Sequence, residues 1–138
     1  MKIQSLLLLY LLLFFPSVFA QPSLQWQKTY GGDNDDLLYT MQKTNDGGFI
    51  CGGTSYSNVS GDKTENSYGR SDFWILKLDE NGNLQWQNSI GGSDDDYFCS
   101  ISQTSDGGYI CGGDSWSVIS GEKTEAYKNC ADYWIVKL

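Results

Sequence analysis

The sequence predicts an all-β protein made of two equivalent four-stranded antiparallel units, and three observations carry that expectation. The stretch GGFICGGTSYSNVSGDKTE beginning at Gly47 returns as GGYICGGDSWSVISGEKTE beginning at Gly107, a displacement of 60 positions. The displacement holds without a gap from residues 24–78 to residues 84–138, where about half the positions are identical. A period this long and regular marks stacked supersecondary units, neither of which buries its apolar surface alone. No helical apolar period appears after the leader, while short apolar runs alternate with turns rich in Gly, Asn and Asp.

In the leader, MKIQSLLLLYLLLFFPSVFA, Lys2 precedes an unbroken apolar run from Leu6 to Phe15, followed by Pro16 and small residues at Val18 and Ala20. This is the pattern of a secretory signal peptide over residues 1–20, with cleavage expected after Ala20. The run is shorter than the ~20 apolar residues of a spanning helix, so no membrane span is expected once it is removed. The expected location is the periplasm, the cell surface or the exterior. Residues 21–138 then form one domain, divided into repeats 24–83 and 84–138. With Lys2 gone, 8 basic residues face 17 acidic ones, a net charge of −9. Nucleic acids and anionic membranes repel such a chain.

Within a repeat, residues 37–44 form the first strand, and Asn45-Asp46-Gly47-Gly48 supplies the positive φ of a tight hairpin. Residues 49–56 form the second strand, and a polar loop over 57–71 leads to the third at 72–78. There Phe73-Trp74-Ile75-Leu76 is apolar on both alternating faces, which predicts burial on two sides. Residues 79–83 turn into the fourth strand, 84–90. Its counterpart at the start of the mature chain, residues 24–30, opens with Leu24-Gln25-Trp26-Gln27. That strict alternation predicts an outer, half-exposed strand with Leu24 and Trp26 inward.

The run LQWQ…GG…DD…DGGFICGGTS…SGD…SDFWILKLDENGNLQWQ resembles the β-propeller-like tandem repeats of exported bacterial proteins, many of them cargo of the type IX secretion route. The resemblance covers the mature chain and implies one four-stranded blade per repeat, with no catalytic residue carried over. Members usually hold enough repeats to close a ring and often a C-terminal sorting domain, whereas this sequence shows two repeats. Closed propellers use four to eight blades. Three expectations therefore stand: the chain is part of a longer repeat protein, several copies assemble a ring in which residues 24–30 complete the last blade, or the two blades fold as a compact monomer.

Repetition also sorts the candidate site residues. Trp26 and Trp86, Trp74 and Trp134, Asp72 and Asp132, and Lys77 and Lys137 occur at equivalent places, which points to demands of the blade rather than to one active site. The acidic loops hold Asp33, Asp35 and Asp36 in the first repeat and Asp94, Asp95 and Asp96 in the second, and clustered carboxylates on glycine-rich loops suit calcium. Their spacing is not that of an EF-hand, and the competing reading has Asp36 and Asp96 accepting backbone hydrogen bonds at strand entrances. Unrepeated residues fall in the long loops, among them Asn58, Asn66, Arg70 and Lys128. With the nearby aromatics Tyr56, Tyr68, Trp116 and Tyr127 they suit a ligand such as a sugar ring, or a protein surface.

The chain contains no His, which excludes Ser/His and Cys/His nucleophile pairs, and no enzyme activity is expected. Four cysteines allow three pairings. Cys51 and Cys111 are equivalent and read as small buried residues, so the unmatched Cys99 and Cys130 are the expected disulfide. The expected function is a non-enzymatic surface or extracellular interaction or adhesion module, or part of a larger propeller. The alternative is a calcium- or glycan-binding module.

Overall fold

The structure is a computed structural model that describes residues 21–138, so the expected signal peptide lies outside the described residues. Seven strands follow in chain order: β1 (Asp36–Lys43), β2 (Phe49–Ser55), β3 (Asp72–Leu78), β4 (Leu84–Ile90), β5 (Asp96–Gln103), β6 (Tyr109–Ser115) and β7 (Asp132–Lys137). They form two antiparallel meanders, a four-stranded sheet β1-β2-β3-β4 and a three-stranded sheet β5-β6-β7. Among the described residues there is no helix, and the sheets do not close into a barrel or ring.

The two sheets repeat each other down to register. Asp36 faces Ser55 and Lys43 faces Phe49 in the first, and Asp96 faces Ser115 and Gln103 faces Tyr109 in the second. Each also carries a bulge at the same place, Tyr39 in β1 and Cys99 in β5. Both β1-β2 and β5-β6 hairpins turn on a glycine at φ 89°, Gly47 and Gly107, a conformation that side chains disfavour.

The core lies between the sheets. Ile50, Phe73 and Ile75 of the first sheet pack on Phe98, Ile101, Cys111 and Trp134 of the second. Phe73 meets Phe98 edge to face at 5.5 Å and Trp134 at 5.4 Å. Such aromatic pairs add about 0.5–1.5 kcal/mol each beyond the apolar area they bury. Gly52 lets the ring of Phe98 onto β2, since a Cβ there would collide with it. On its other face the first sheet gathers Cys51, Trp74, Leu76 and Leu78, joined by Tyr30, Phe49 and Leu84. Every residue of β3 is buried, as its apolar character on both faces requires. Cys51 and Cys111 are buried as well.

Three expectations are corrected. The second unit has three strands among the described residues, because no fourth strand pairs with β7. Residues 24–30 form no ladder; they pack irregularly over the first sheet on the face turned away from the second, and Leu24 is exposed. Trp26 meets Phe49 edge to face at 5.8 Å, and the Tyr30 hydroxyl donates to the Gly82 carbonyl at 2.7 Å. The first sheet stands between this segment and the free edge of β7, so the two cannot pair within one chain. Finally, Cys99 and Cys130 are exposed and unbonded. Cys99 lies on β5 and Cys130 beside β7, with β6 between. Two strand spacings of about 4.8 Å exceed the ~7 Å Cα separation that a disulfide spans.

Candidate functional site

The loops connecting β2 to β3 and β6 to β7 lie at the same end of the sheets as the acidic loops before β1 and β5. Asp36 and Asp96 brace that end. The Asp96 carboxylate accepts from the Gly92 N–H at 2.6 Å and the Ser117 hydroxyl at 2.9 Å, and Ser117 Oγ in turn accepts from the Asp94 N–H at 2.9 Å. Asp36 does the same with Gly32 at 2.7 Å and Ser57 at 3.0 Å. Burying a carboxylate is costly unless such donors meet it, and these donors fix the acidic loops against the serines of the long loops.

On this frame Arg70, Asp94, Asp95, Tyr97 and Trp116 line a cleft of about 300 Å³. Arg70 Nη1 lies 3.7 Å from Asp94 and 3.5 Å from Asp95, and its side chain is 76% exposed. Trp116 and, beside Tyr97, Tyr56 are also exposed. Partial burial pushes the Tyr97 phenol up from its ordinary range, aided by hydrogen bonding with Tyr56 and the charge of Asp95. The cleft therefore offers aromatic surface, a cation, carboxylates and hydroxyl donors in one place.

The structure brings some expected site residues together and separates others. Tyr56 and Trp116 stand at equivalent positions at the loop end, and only Trp116 lines the cleft. Tyr68 is a strut: its hydroxyl donates to Glu122 at 2.9 Å and its ring fits over Gly121, where a side chain would crowd it. Tyr127 lies outside the cleft. The acidic loops do not converge on a cation. Asp33 accepts from the Ser60 hydroxyl at 2.8 Å, Asp36 and Asp96 are committed to their braces, and Asp94 and Asp95 face Arg70. Among the described residues no three carboxylates or thiols are grouped to hold a metal. Tyr97 was not expected. Its signal was the replacement of aliphatic Leu37 by a polar aromatic in the second repeat.

Behind the cleft lies an unusual carboxyl group. Asp72 is fully buried, accepts from the Tyr68 N–H at 2.6 Å, and, like Asp36 and Asp96, leaves its Oδ1 without a donor. Gly91 is required beside it, since a Cβ would collide with that oxygen. Burial pushes the carboxyl up to about 6 from the ordinary 3.8, against the pull of the Tyr68 N–H and with the Asp96 charge adding to the rise. Between these values the native state holds a proton that the unfolded chain has lost. The resulting stabilisation is complete below the unfolded value and is lost as pH rises through about 6, on the order of 2–3 kcal/mol in all. Asp46 and Asp106, held low first by the Thr44 and Thr104 hydroxyls and then by Lys77 and Lys137, act oppositely and weaken the fold as pH falls below the ordinary carboxyl range. Melting temperature measured from pH 3 to 8 is expected to peak near pH 4, where the Asp46 and Asp106 contributions are largely intact and most of the Asp72 contribution remains. Asp72→Asn keeps an acceptor for Tyr68 and is expected to flatten the alkaline limb of that peak; an unchanged limb would refute the assignment.

No known protein family matches the chain, and no curated protein matches its sequence.

Proposed function

We propose that the chain is an exported, non-enzymatic interaction module whose sheets are propeller-like blades and whose loop end binds a partner. The observation that carries this reading is the cleft of Arg70, Asp94, Asp95, Tyr97 and Trp116. It is assembled from loops of both repeats and the start of β5, yet Arg70 and Tyr97 have no counterpart in the other repeat. Blade construction does not demand those residues, whereas recognition does. Exposed loops on a rigid β scaffold supply such surfaces.

Carbohydrate as the partner is favoured by one feature. Trp116 and Tyr97 offer ring faces for stacking beside Arg70 and two carboxylates, which match the hydroxyls of a sugar. Because Arg70 already faces Asp94 and Asp95, a bound cation is the less favoured reading of the acidic loops.

A glycan array followed by calorimetry tests the proposal. Arg70→Ala and Trp116→Ala are each expected to weaken binding by about tenfold or more, as removal of a central anchor does. Both side chains are solvent-exposed, so stability should change by less than about 1 kcal/mol. Binding that survives both substitutions would place recognition elsewhere.

A further inference from the structure

Among the described residues two apolar surfaces stay open, and they are the two halves of a joint that the two sheets already make with each other. In the internal joint, Phe73 and Ile75 of β3 rest on Phe98, Cys111 and Trp134 of the second sheet. Sixty positions on, the counterparts of Phe73 and Ile75 are Tyr133 and Ile135 of β7, which are 89% and 68% exposed. Sixty positions back, the counterparts of Phe98, Cys111 and Trp134 are Leu38, Cys51 and Trp74. Those three, with Gly53, form the floor of an apolar cavity of about 190 Å³ on the outer face of the first sheet, and Trp26, Lys28 and Tyr30 of the irregular segment line it as well.

We infer that a second copy of this chain occupies these surfaces head to tail, with Tyr133 and Ile135 of one copy seated in the Leu38–Cys51–Trp74 cavity of the next. The glycines agree with this geometry. Gly113 admits Phe73 closely in the internal joint, with a Cβ there 3.0 Å from the ring. Its counterpart Gly53 lines the empty cavity and would admit Tyr133 in the same way. Between the sheets the Phe98 N–H donates to Thr54 Oγ1 at 2.9 Å. At the new joint the donor becomes the Leu38 N–H and the acceptor a carboxylate oxygen of Asp114, so the bond is preserved. The Tyr68–Glu122 hydrogen bond is replaced by Lys128 opposite Asp62, a pair of opposite charge.

The same joint completes the second sheet. In the first sheet β3 pairs with β4, Phe73 facing Ile90, Ile75 facing Asn88 and Lys77 facing Trp86. Transferred by 60 positions, Tyr133 faces Tyr30, Ile135 faces Lys28 and Lys137 faces Trp26 of the neighbouring copy. Residues 24–30, which form no ladder within their own chain, thereby become a fourth strand on the free edge of β7. Covering that edge removes the row of open backbone groups that an exposed strand presents. At one point the pattern breaks: Asn129 stands where Gly69 brings its backbone onto Asp94, so residues 127–131 must take another path at the joint. A head-to-tail contact of this kind closes into a ring when its rotation allows. With the two blades of residues 21–138 from each copy and four to eight blades per ring, the closed forms hold two, three or four copies.

The inference rests on the propeller-like reading of the sheets but not on what the cleft binds, and its test reads mass rather than ligand. The full chain is expressed with its leader into an oxidising compartment, and the exported product is examined by light scattering after gel filtration. The expected mass at about 100 μM, above the Kd of typical interfaces, is two to four times that of one chain. Ile135→Asp, a change at an exposed position, is expected to give a single-chain mass with an unchanged circular dichroism spectrum. The double variant Lys28→Cys, Ile135→Cys is expected to add a disulfide between chains on a non-reducing gel, beyond any seen in wild type. A wild-type mass of one chain overturns the inference, as would oligomers indifferent to Ile135→Asp or a double variant whose introduced thiols join no second chain.

Discussion

Phe73→Ala is expected to lower stability by about 3–5 kcal/mol, the cost of deleting a large buried aromatic side chain and leaving a cavity behind. Phe73 is fully buried at the centre of the joint between the sheets, against the rings of Phe98 and Trp134 and the backbone at Gly113. The second apolar cluster of the first sheet lies on its opposite face, so it cannot fill the space that Phe73 leaves between the sheets. Since domains are stable by only about 5–15 kcal/mol, the variant should melt well below the wild type and with reduced cooperativity. Tyr133→Ala at the equivalent place on β7, where the side chain is exposed, serves as the contrast. Made in the Ile135→Asp background, where the chain is expected to stay single, it should melt within a few degrees of that parent, since surface changes fall within about 0.5 kcal/mol. Equal effects at the two positions would mean that the sheets do not pack as described.

Lys63→Met is expected to cost a comparable amount, about 3–5 kcal/mol, because it removes a buried cation from among carboxylates. Lys63 is 1% exposed, and its Nζ donates to the Ser89 hydroxyl at 2.8 Å and the Glu65 carbonyl at 3.0 Å. Burial pulls its ammonium down from the ordinary range, while the charges of Asp72, Asp36 and Glu65 resist that pull. Methionine fills similar space but leaves those acceptors and carboxylates without their cation. The loss should therefore deepen as pH rises above about 6, where Asp72 is ionised. Asp72→Asn in the Lys63→Met background is expected to recover part of it, a coupling that a double-mutant cycle measures directly. Purely additive effects would show that the two groups do not sense each other.

Much of this architecture was legible residue by residue. The doubly apolar Phe73-Trp74-Ile75-Leu76 stretch predicted a strand covered on both faces, and β3 is buried throughout. Asn45-Asp46-Gly47-Gly48 predicted the β1-β2 hairpin, and Gly47 turns it at positive φ. Asp36 and Asp96 behave as backbone acceptors at strand entrances, the competing reading given to them beside calcium. Less legible was anything that depended on which surfaces meet. Tyr68 looked like a free loop aromatic until Gly121 and Glu122 were found beneath it. The cysteine pair failed because the count of thiols carries no information about the strand that separates them.

The sequence by itself determined the strands β1 to β7, their turns and the equivalence of the two repeats, because these follow from local φ preferences and from alternation along a strand that has a partner beside it. The tertiary structure alone decided where residues 24–30 lie, that Arg70 and Tyr97 share a cleft with Trp116, and that β7 shows Tyr133 and Ile135 to solvent where β3 hides Phe73 and Ile75. Two stretches of nearly identical sequence end in opposite environments because burial belongs to the neighbour that covers a face, and a strand does not encode its neighbour.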